Sequence, residues 1–276
     1  MFRRFIQSAP KIAKVCGGVG LSAVGVAAIP DADLKKKPGW YQGTVHHLEK
    51  ILKELSTYAF IENNDLLDHA KDVLMRCENV NNCEISWRLG RALTEKGDLF
   101  SVVDAENRLE YFTKAIPHFQ KAFTLEPKNG SAGAHKWYAI TLKRLKKVTS
   151  RHPYVKNADK EIFEHLEKAH QIDPKDAVTC HLLGVQYFEK GRLPEALKLF
   201  QTAEELKKDY FPANVYYLGL VQHKQNKRDE ALGTMKKVLQ LHAKNKYDRK
   251  AKGDARAILY QKYKQTPESV NPYPDY

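Results

Sequence analysis

Cysteine is scarce in this sequence, and its spacing offers no metal or redox site. The 276 residues contain four cysteines, two of which, Cys77 and Cys83, stand six positions apart. That spacing fits neither a zinc site nor a redox pair. We therefore expect reduced, buried thiols in a chain that faces the cytosol.

The motifs of common enzymes are missing as well. No His-Glu-x-x-His occurs, and the glycine-rich residues 17–20 are not followed by Lys-Ser or Lys-Thr, as a phosphate-binding loop requires. His165 and His170 are five residues apart and would lie on different faces of a helix. No segment is rich in strand-forming residues. The sequence predicts a protein that is not an enzyme and needs no cofactor or metal.

No uncharged run in the N-terminal region is long enough to cross a membrane as a helix. Residues 15–29 are uncharged but number only 15, whereas a spanning helix needs about 20. The residues around this run are basic, with no acid before Asp31. This pattern is typical of a mitochondrial presequence, with a weak membrane anchor or a disordered tail as alternatives. We expect residues 1–39 to be a basic and apolar segment that is either a targeting sequence or flexible, and membrane contact through residues 1–30 stays open.

Acidic residues are outnumbered, at 33 against 46 Lys and Arg, which gives a net charge of +13. The excess lies in residues 1–40, 136–160 and 224–256, whose net charges are +5, +7 and +7. Clustered positive charge indicates an acidic protein surface, an anionic membrane or nucleic acid as partner, unless the lysines are solvated helix faces. Nucleic acid is not favoured, because charge alone supports it.

What the sequence does contain is a helical pattern that repeats. Small residues at helical spacing permit close packing of paired helices, and large residues between them fill the space. The pattern occurs at Leu183, Gly184, Ala196, Phe200 and Ala203, and again 35 residues later at Leu218, Gly219, Ala231, Met235 and Val238. Two earlier, less regular units end at Pro127 and Pro174. A helix pair of about 34 residues is the tetratricopeptide repeat (TPR) unit.

The sequence therefore predicts an all-α fold, an α-solenoid of TPR-like helix pairs over residues 40–264. We expect a first helix from about Thr44, a second capped by Asn64 or Asp65, and long turns at 98–108 and 149–157. A last helix at 248–263 would cap the open end. The proline-rich residues 265–276 are expected to be disordered.

The inner helices of these pairs carry aromatic residues. The predicted groove residues are Trp87, Arg91, Tyr138 and Tyr216. A concave aromatic surface suits an extended peptide or an apolar ligand, although the rings could equally belong to the core of each pair. Only Arg91 is cationic, so the chaperone-tail grip of some TPR domains is not indicated.

Some stretches are more specific than the repeat requires, and they resemble the regulator of microtubule dynamics family. The resemblance covers about residues 66–241 and includes Trp87-Arg88-Leu89-Gly90-Arg91-Ala92 and His135-Lys136-Trp137-Tyr138-Ala139-Ile140. It implies a helical-repeat protein that associates with microtubules and spindle poles. Some members sit on mitochondria through their N-terminus.

The resemblance and the charge together give the functional expectation. We expect a microtubule-associated scaffold that regulates microtubule dynamics and chromosome segregation at the spindle, with tubulin as partner. A mitochondrial or membrane-tethering adaptor, binding a protein or lipid in its groove, is the alternative. Acidic tubulin tails attract basic surfaces over about 8 Å at physiological salt. The predicted contacts are Lys143, Arg144, Lys146, Lys147 and Arg151. The direction of the effect on microtubules and the oligomeric state stay open.

Overall fold

The computed structural model describes residues 35–36, 38–78 and 81–270, and within these residues every regular element is a helix. The α-helices are α1 Gly39–Thr57, α2 Asn64–Arg76, α3 Cys83–Leu99, α4 Ala105–Thr124, α5 Ala132–Val148, α6 Ala158–Ile172, α7 Ala177–Glu189, α8 Leu193–Leu206, α9 Pro212–Lys224, α10 Arg228–Gln240, α11 Lys246–Gln261 and α12 Pro267–Val270. A 3₁₀ helix, Pro153–Val155, lies between α5 and α6. The prediction of an all-α fold is confirmed.

The chain divides into two compact units, one up to His165 and the other from Leu166, and the division falls within α6. In the first unit α3 is central and packs against α2, α4 and α5. In the second unit α7 pairs with α8, α9 pairs with α10, and α11 packs against the last pair. These pairs are TPR-like, as the repeat pattern predicted.

Close approach of paired helices depends on glycines that face a large side chain. A Cβ atom on Gly184 would lie 2.7 Å from the ring of Phe200, and one on Gly90 would lie 2.7 Å from the ring of Phe119. Both phenylalanines are fully buried. Each ring thus fills the space that its glycine leaves, at the density of a well-packed interior. The predicted role of Gly184 is confirmed.

The 35-residue repeat extends to the backbone of the turns. Gly191 and Asn226, at equivalent positions after α7 and α9, have φ angles of +75° and +61°. In each turn, the backbone N–H of the residue that follows donates to the carbonyl oxygen five residues earlier. Arg192 N donates to the Tyr187 carbonyl at 2.9 Å, and Lys227 N donates to the Gln222 carbonyl at 3.0 Å. Glycine and asparagine are the residues that adopt this left-handed conformation most easily. One local geometry therefore ends the first helix of both pairs.

The structure differs from the sequence prediction at several helix ends. The second helix is capped by Asn63, not Asn64 or Asp65, and Oδ1 of Asn63 accepts a hydrogen bond from Leu66 N at 2.9 Å. The chain was expected to be disordered from residue 265, yet α12 forms and Val270 packs into the core of the last helices. The expectations for residues 1–34 and 271–276 lie outside the described residues.

Cys77, Cys83 and Cys180 are free and buried, and burial raises their pKa, that of Cys83 and Cys180 to about 11. Because the thiolate is the reactive form, we expect these thiols to react very slowly with Ellman's reagent at pH 8. The measurement uses a Cys16→Ser variant, with and without denaturant. All three thiols should react once the chain unfolds. Rapid reaction of the native protein would contradict the expectation.

Candidate functional site

Four of the five predicted microtubule-binding cations reach the surface at the end of α5. Lys146, Lys147 and Arg151 are exposed, and Lys143 is half-buried. Arg144 is only 8% exposed, and its Nε donates to Oδ2 of Asp98 at 3.0 Å. Arg144 is therefore an interior ion-pair residue and does not belong to the surface patch.

The periodicity of α5 explains why Arg144 turns inward. Thr141, three residues earlier on the same face, contacts Thr94 of α3, with the two Oγ1 atoms 2.6 Å apart. Leu145 is fully buried beside it. A side chain at position 144 therefore follows this inner face towards α3, where Asp98 supplies the opposite charge.

The remaining cations form what we call the α5 basic surface, which consists of Lys143, Lys146, Lys147, Arg151 and Lys156. The last of these, Lys156, is exposed in the turn after α5 and was not among the predicted contacts. Lys146 also forms an ion pair with the exposed Asp159, at 2.5 Å. The surface is thus strongly, although not purely, positive. Such a surface attracts polyanions from a distance without fixing one binding geometry.

Most of the predicted groove residues are packed inside the first unit. Trp87 is 8% exposed, with its ring against Gly133 of α5 and the Arg88 guanidinium 4.1 Å from its centroid. Tyr138 is 6% exposed, and its hydroxyl donates to Oε2 of Glu161 at 2.8 Å. Burial and this carboxylate raise the pKa of Tyr138. These two rings therefore hold helices together, which is the alternative that the sequence left open.

Tyr216 belongs to the second unit and is only partly buried, against the core of α9, α10 and α11. Burial raises its pKa to about 12. The hydroxyl is thus neutral at physiological pH and can donate a hydrogen bond. A role for Tyr216 in binding a partner stays a prediction.

Arg91 is the centre of a buried polar arrangement in the first unit. It is 4% exposed; its Nε donates to Oε2 of Glu95 at 2.9 Å, and its guanidinium bonds the carbonyl oxygens of Leu55 and Tyr58. The guanidinium also lies 4.4 Å from the ring centroid of Trp137. Since these bonds occupy its donors, Arg91 is not available to a ligand in a groove.

Arg91 and Glu95 form one of several ion pairs that involve α3, none of which was predicted from the sequence. Fourteen of the 17 residues of α3 are buried, including charged ones. The pairs are Glu84–Arg88, Arg91–Glu95, Asp68–Lys96 and Asp98–Arg144. Burial raises the pKa of Glu95, and Lys96 lowers that of Asp68. Only the two pairs within α3 could have been recognised from the sequence, because their residues are four positions apart.

A second polar cluster involves histidines. Nδ1 of His135 and Nδ1 of His165 are 2.6 Å apart, so one ring donates its N–H and the other accepts. Phe123 stacks on His135 at a centroid distance of 4.8 Å. Nε2 of His135 is 2.9 Å from Oε1 of Glu126. The cluster packs the interior of the first unit. Over residues 38–78 and 81–270, no group of three or more His, Cys, Asp or Glu could hold a metal ion.

None of the described helices is both long enough and apolar enough to span a membrane. The apolar run at residues 15–29 lies outside the described residues.

Comparison with known families decides the relationship that the motifs indicated. The family model described as "Regulator of microtubule dynamics protein 1-3" matches residues 52–194 and 188–264. The chain belongs to this family. The match runs from within α1 to just beyond α11 and so includes residues of both units.

Curated relatives and solved structures agree with this family and fold. The chain is 26% identical over 240 residues to regulator of microtubule dynamics protein 1 of Mus musculus, covering 78% of this chain and 76% of the mouse protein. It is 29% identical to the Rattus norvegicus protein of the same name, covering 63% and 61%. Among solved structures, PilF of Pseudomonas aeruginosa superposes with a TM-score of 0.51 at 14% identity, covering 84% of this chain and 97% of that chain. This last similarity concerns the fold alone.

Proposed function

We propose that this protein is a non-enzymatic, microtubule-associated scaffold that regulates microtubule dynamics and acts in chromosome segregation at the spindle. The observation that carries the proposal is the α5 basic surface, with Lys146, Lys147, Arg151 and Lys156 all exposed. Two relatives from the same family are named regulators of microtubule dynamics. A TPR-like fold supports protein binding, since paired helices offer extended surfaces to a partner.

The chemistry of the α5 basic surface fits tubulin as its partner. Microtubules carry dense acidic tails, and cationic side chains attract such tails over about a Debye length, near 8 Å at physiological salt. Lysine side chains of this kind speed the first encounter with an acidic partner more than they fix the orientation in which it binds. Binding should therefore weaken as salt rises.

We expect charge reversal of the α5 basic surface to weaken microtubule binding. In the variant Lys147→Glu/Arg151→Glu, the Kd for taxol-stabilised microtubules should rise by about tenfold at low salt, because attraction becomes repulsion at two exposed positions. Cosedimentation across a salt series measures both the Kd and its salt dependence. The variant should lose part of that dependence.

The matched control is Lys175→Glu/Lys198→Glu, which changes the net charge equally at two exposed lysines of the second unit. This control should bind almost as tightly as the unmodified chain. If both variants lose the same affinity, net charge and not the α5 basic surface governs binding. If the unmodified chain does not sediment with microtubules even at low salt, the proposed function is wrong.

Imaging of the full-length chain in dividing cells tests the cellular part of the proposal. Signal on the spindle and spindle poles supports it, whereas an exclusively mitochondrial signal favours the tethering alternative. That alternative depends on residues 1–30, which lie outside the described residues. Membrane contact and a mitochondrial location therefore stay predictions from the sequence.

A further inference from the structure

Two turns of the second unit meet at Tyr210, and both carry lysines. One turn joins α8 to α9 and the other joins α10 to α11. Nζ of Lys244 donates to the Tyr210 carbonyl at 3.1 Å and lies 3.3 Å from the centroid of the Tyr210 ring. Nζ of Lys207 lies 4.8 Å from the same centroid. Two exposed ammonium groups therefore share one aromatic ring.

The ring is held in place by its own turn. Tyr210 N donates to the carbonyl of Lys207 at 3.2 Å, and Asp209 N donates to Oε1 of Glu204 at 2.7 Å. The Tyr210 ring packs edge-on against Phe211 at 4.5 Å, and Phe211 is buried. The two lysines therefore converge on a preformed platform, and little ordering is needed when a partner binds.

The acids in and beside these two turns are engaged by other donors. Asp248 is 1% exposed and accepts from Lys244 N at 3.1 Å and from Nδ2 of Asn245 at 2.9 Å. Asp209 forms an ion pair with Lys237, which also lies 3.8 Å from Glu204. These acids are thus bound within the fold, whereas Lys207 and Lys244 are exposed.

The two ammonium groups repel each other. Burial lowers the pKa of Lys244, Asp248 opposes this effect, and the charge of Lys207 lowers the pKa further. An anion that contacts both lysines would offset this repulsion and accept charge-assisted hydrogen bonds from both. Its binding would raise the pKa of Lys244.

We propose that Lys207, Lys244 and the ring of Tyr210 form a docking point for an acidic peptide segment. A Glu or Asp carboxylate of the segment accepts hydrogen bonds from both ammonium groups, while Lys208, also exposed, attracts the next acid along the peptide. A ring that two ammonium groups already contact is poorly placed to stack on a base, which favours a peptide over nucleic acid. The inference rests on the proposed function only in naming the acidic tails of tubulin as the natural segment.

A labelled peptide of ten glutamates tests the docking point by fluorescence anisotropy with the full chain. The variant Lys207→Gln/Lys244→Gln should weaken binding by about tenfold, as loss of two charge-assisted contacts implies. The control Lys175→Gln/Lys198→Gln removes two exposed charges from the same unit and should bind like the unmodified chain. Equal losses in both variants would overturn the proposal.

Lys244 also bonds a backbone carbonyl, so its loss could disturb the turn. Lys207→Gln keeps that bond and should still weaken peptide binding by about threefold. Unchanged peptide binding in this variant would contradict the proposal. An RNA oligonucleotide of the same charge should bind more weakly than the peptide. Tighter binding of RNA that depends on the same lysines would overturn the assignment to a peptide.

Microtubule cosedimentation of the same variants separates the two proposals. If peptide binding requires Lys207 and Lys244 but the unmodified chain does not bind microtubules, the docking point is supported and the proposed function is wrong. If the chain binds microtubules while Lys207→Gln/Lys244→Gln leaves both microtubule and peptide binding unchanged, the docking point is wrong and the proposed function is supported.

Discussion

Replacing Phe200 by alanine is expected to lower the free energy of unfolding by about 3–5 kcal/mol. Phe200 of α8 is fully buried, and the rings of His181 in α7 and Tyr217 in α9 lie at centroid distances of 5.8 and 5.5 Å. Alanine would leave a cavity that Gly184, with no side chain, cannot fill. Urea unfolding followed by circular dichroism at 222 nm measures the loss.

Gly184, which faces Phe200, allows a paired test in which two Gly→Ala substitutions should change stability in opposite directions. Alanine normally stabilises a helix relative to glycine by about 1 kcal/mol. Gly184→Ala should instead destabilise the protein, because its Cβ would lie 2.7 Å from the Phe200 ring. Gly233 is exposed in α10, and a Cβ added there would meet no atom within 4 Å, so Gly233→Ala should stabilise. If Gly184→Ala stabilises the protein as Gly233→Ala does, the close approach at Gly184 does not limit this helix pair.

Arg91→Met is expected to cost about 3–5 kcal/mol of stability at pH 7, because it leaves the buried carboxylate of Glu95 without its counter-ion. The carbonyls of Leu55 and Tyr58 would lose a donor as well. Burial already raises the pKa of Glu95, and loss of Arg91 would raise it further. A carboxyl whose pKa is higher in the folded state destabilises that state as pH rises. The loss should therefore be smaller at pH 5 than at pH 7, which urea unfolding at both pH values measures.

A double substitution provides the control for this pair. Arg91→Met/Glu95→Gln removes both charges and should recover part of the stability that Arg91→Met loses. Lys250→Met breaks an i,i+4 pair with Asp254 that is exposed on α11, and it should change stability little. A double variant as unstable as Arg91→Met alone would show that the lost carbonyl contacts, not the unpaired charge, cause the effect.

The sequence predicted the helix pairs because their signal is local and repeated. A glycine or alanine on one helix opposite a large side chain on the next, as at Gly184 and Phe200, determines which helix faces pack together. Its recurrence 35 residues later makes the signal specific. The same reasoning could not give Asn63 as the cap of α2, since three adjacent residues, Asn63, Asn64 and Asp65, all favour that role.

The candidate site was harder to predict because charge does not reveal burial. Arg144 stands among lysines in the sequence, yet the face it shares with Thr141 turns it towards Asp98, 46 residues earlier. A long-range partner of this kind leaves no periodic signal. Trp87 and Tyr138 were equally ambiguous, because aromatic residues on an inner helix suit both a groove and a core. The lysines around Tyr210 converge only through the fold.

The buried position of α3 has a consequence for synthesis on the ribosome. Its charged side chains find partners on both sides in the sequence, Asp68 before the helix and Arg144 after it. A nascent chain that has emerged only as far as α4 does not yet offer Arg144 to Asp98. The first unit therefore cannot reach its final structure until α5 has left the exit tunnel.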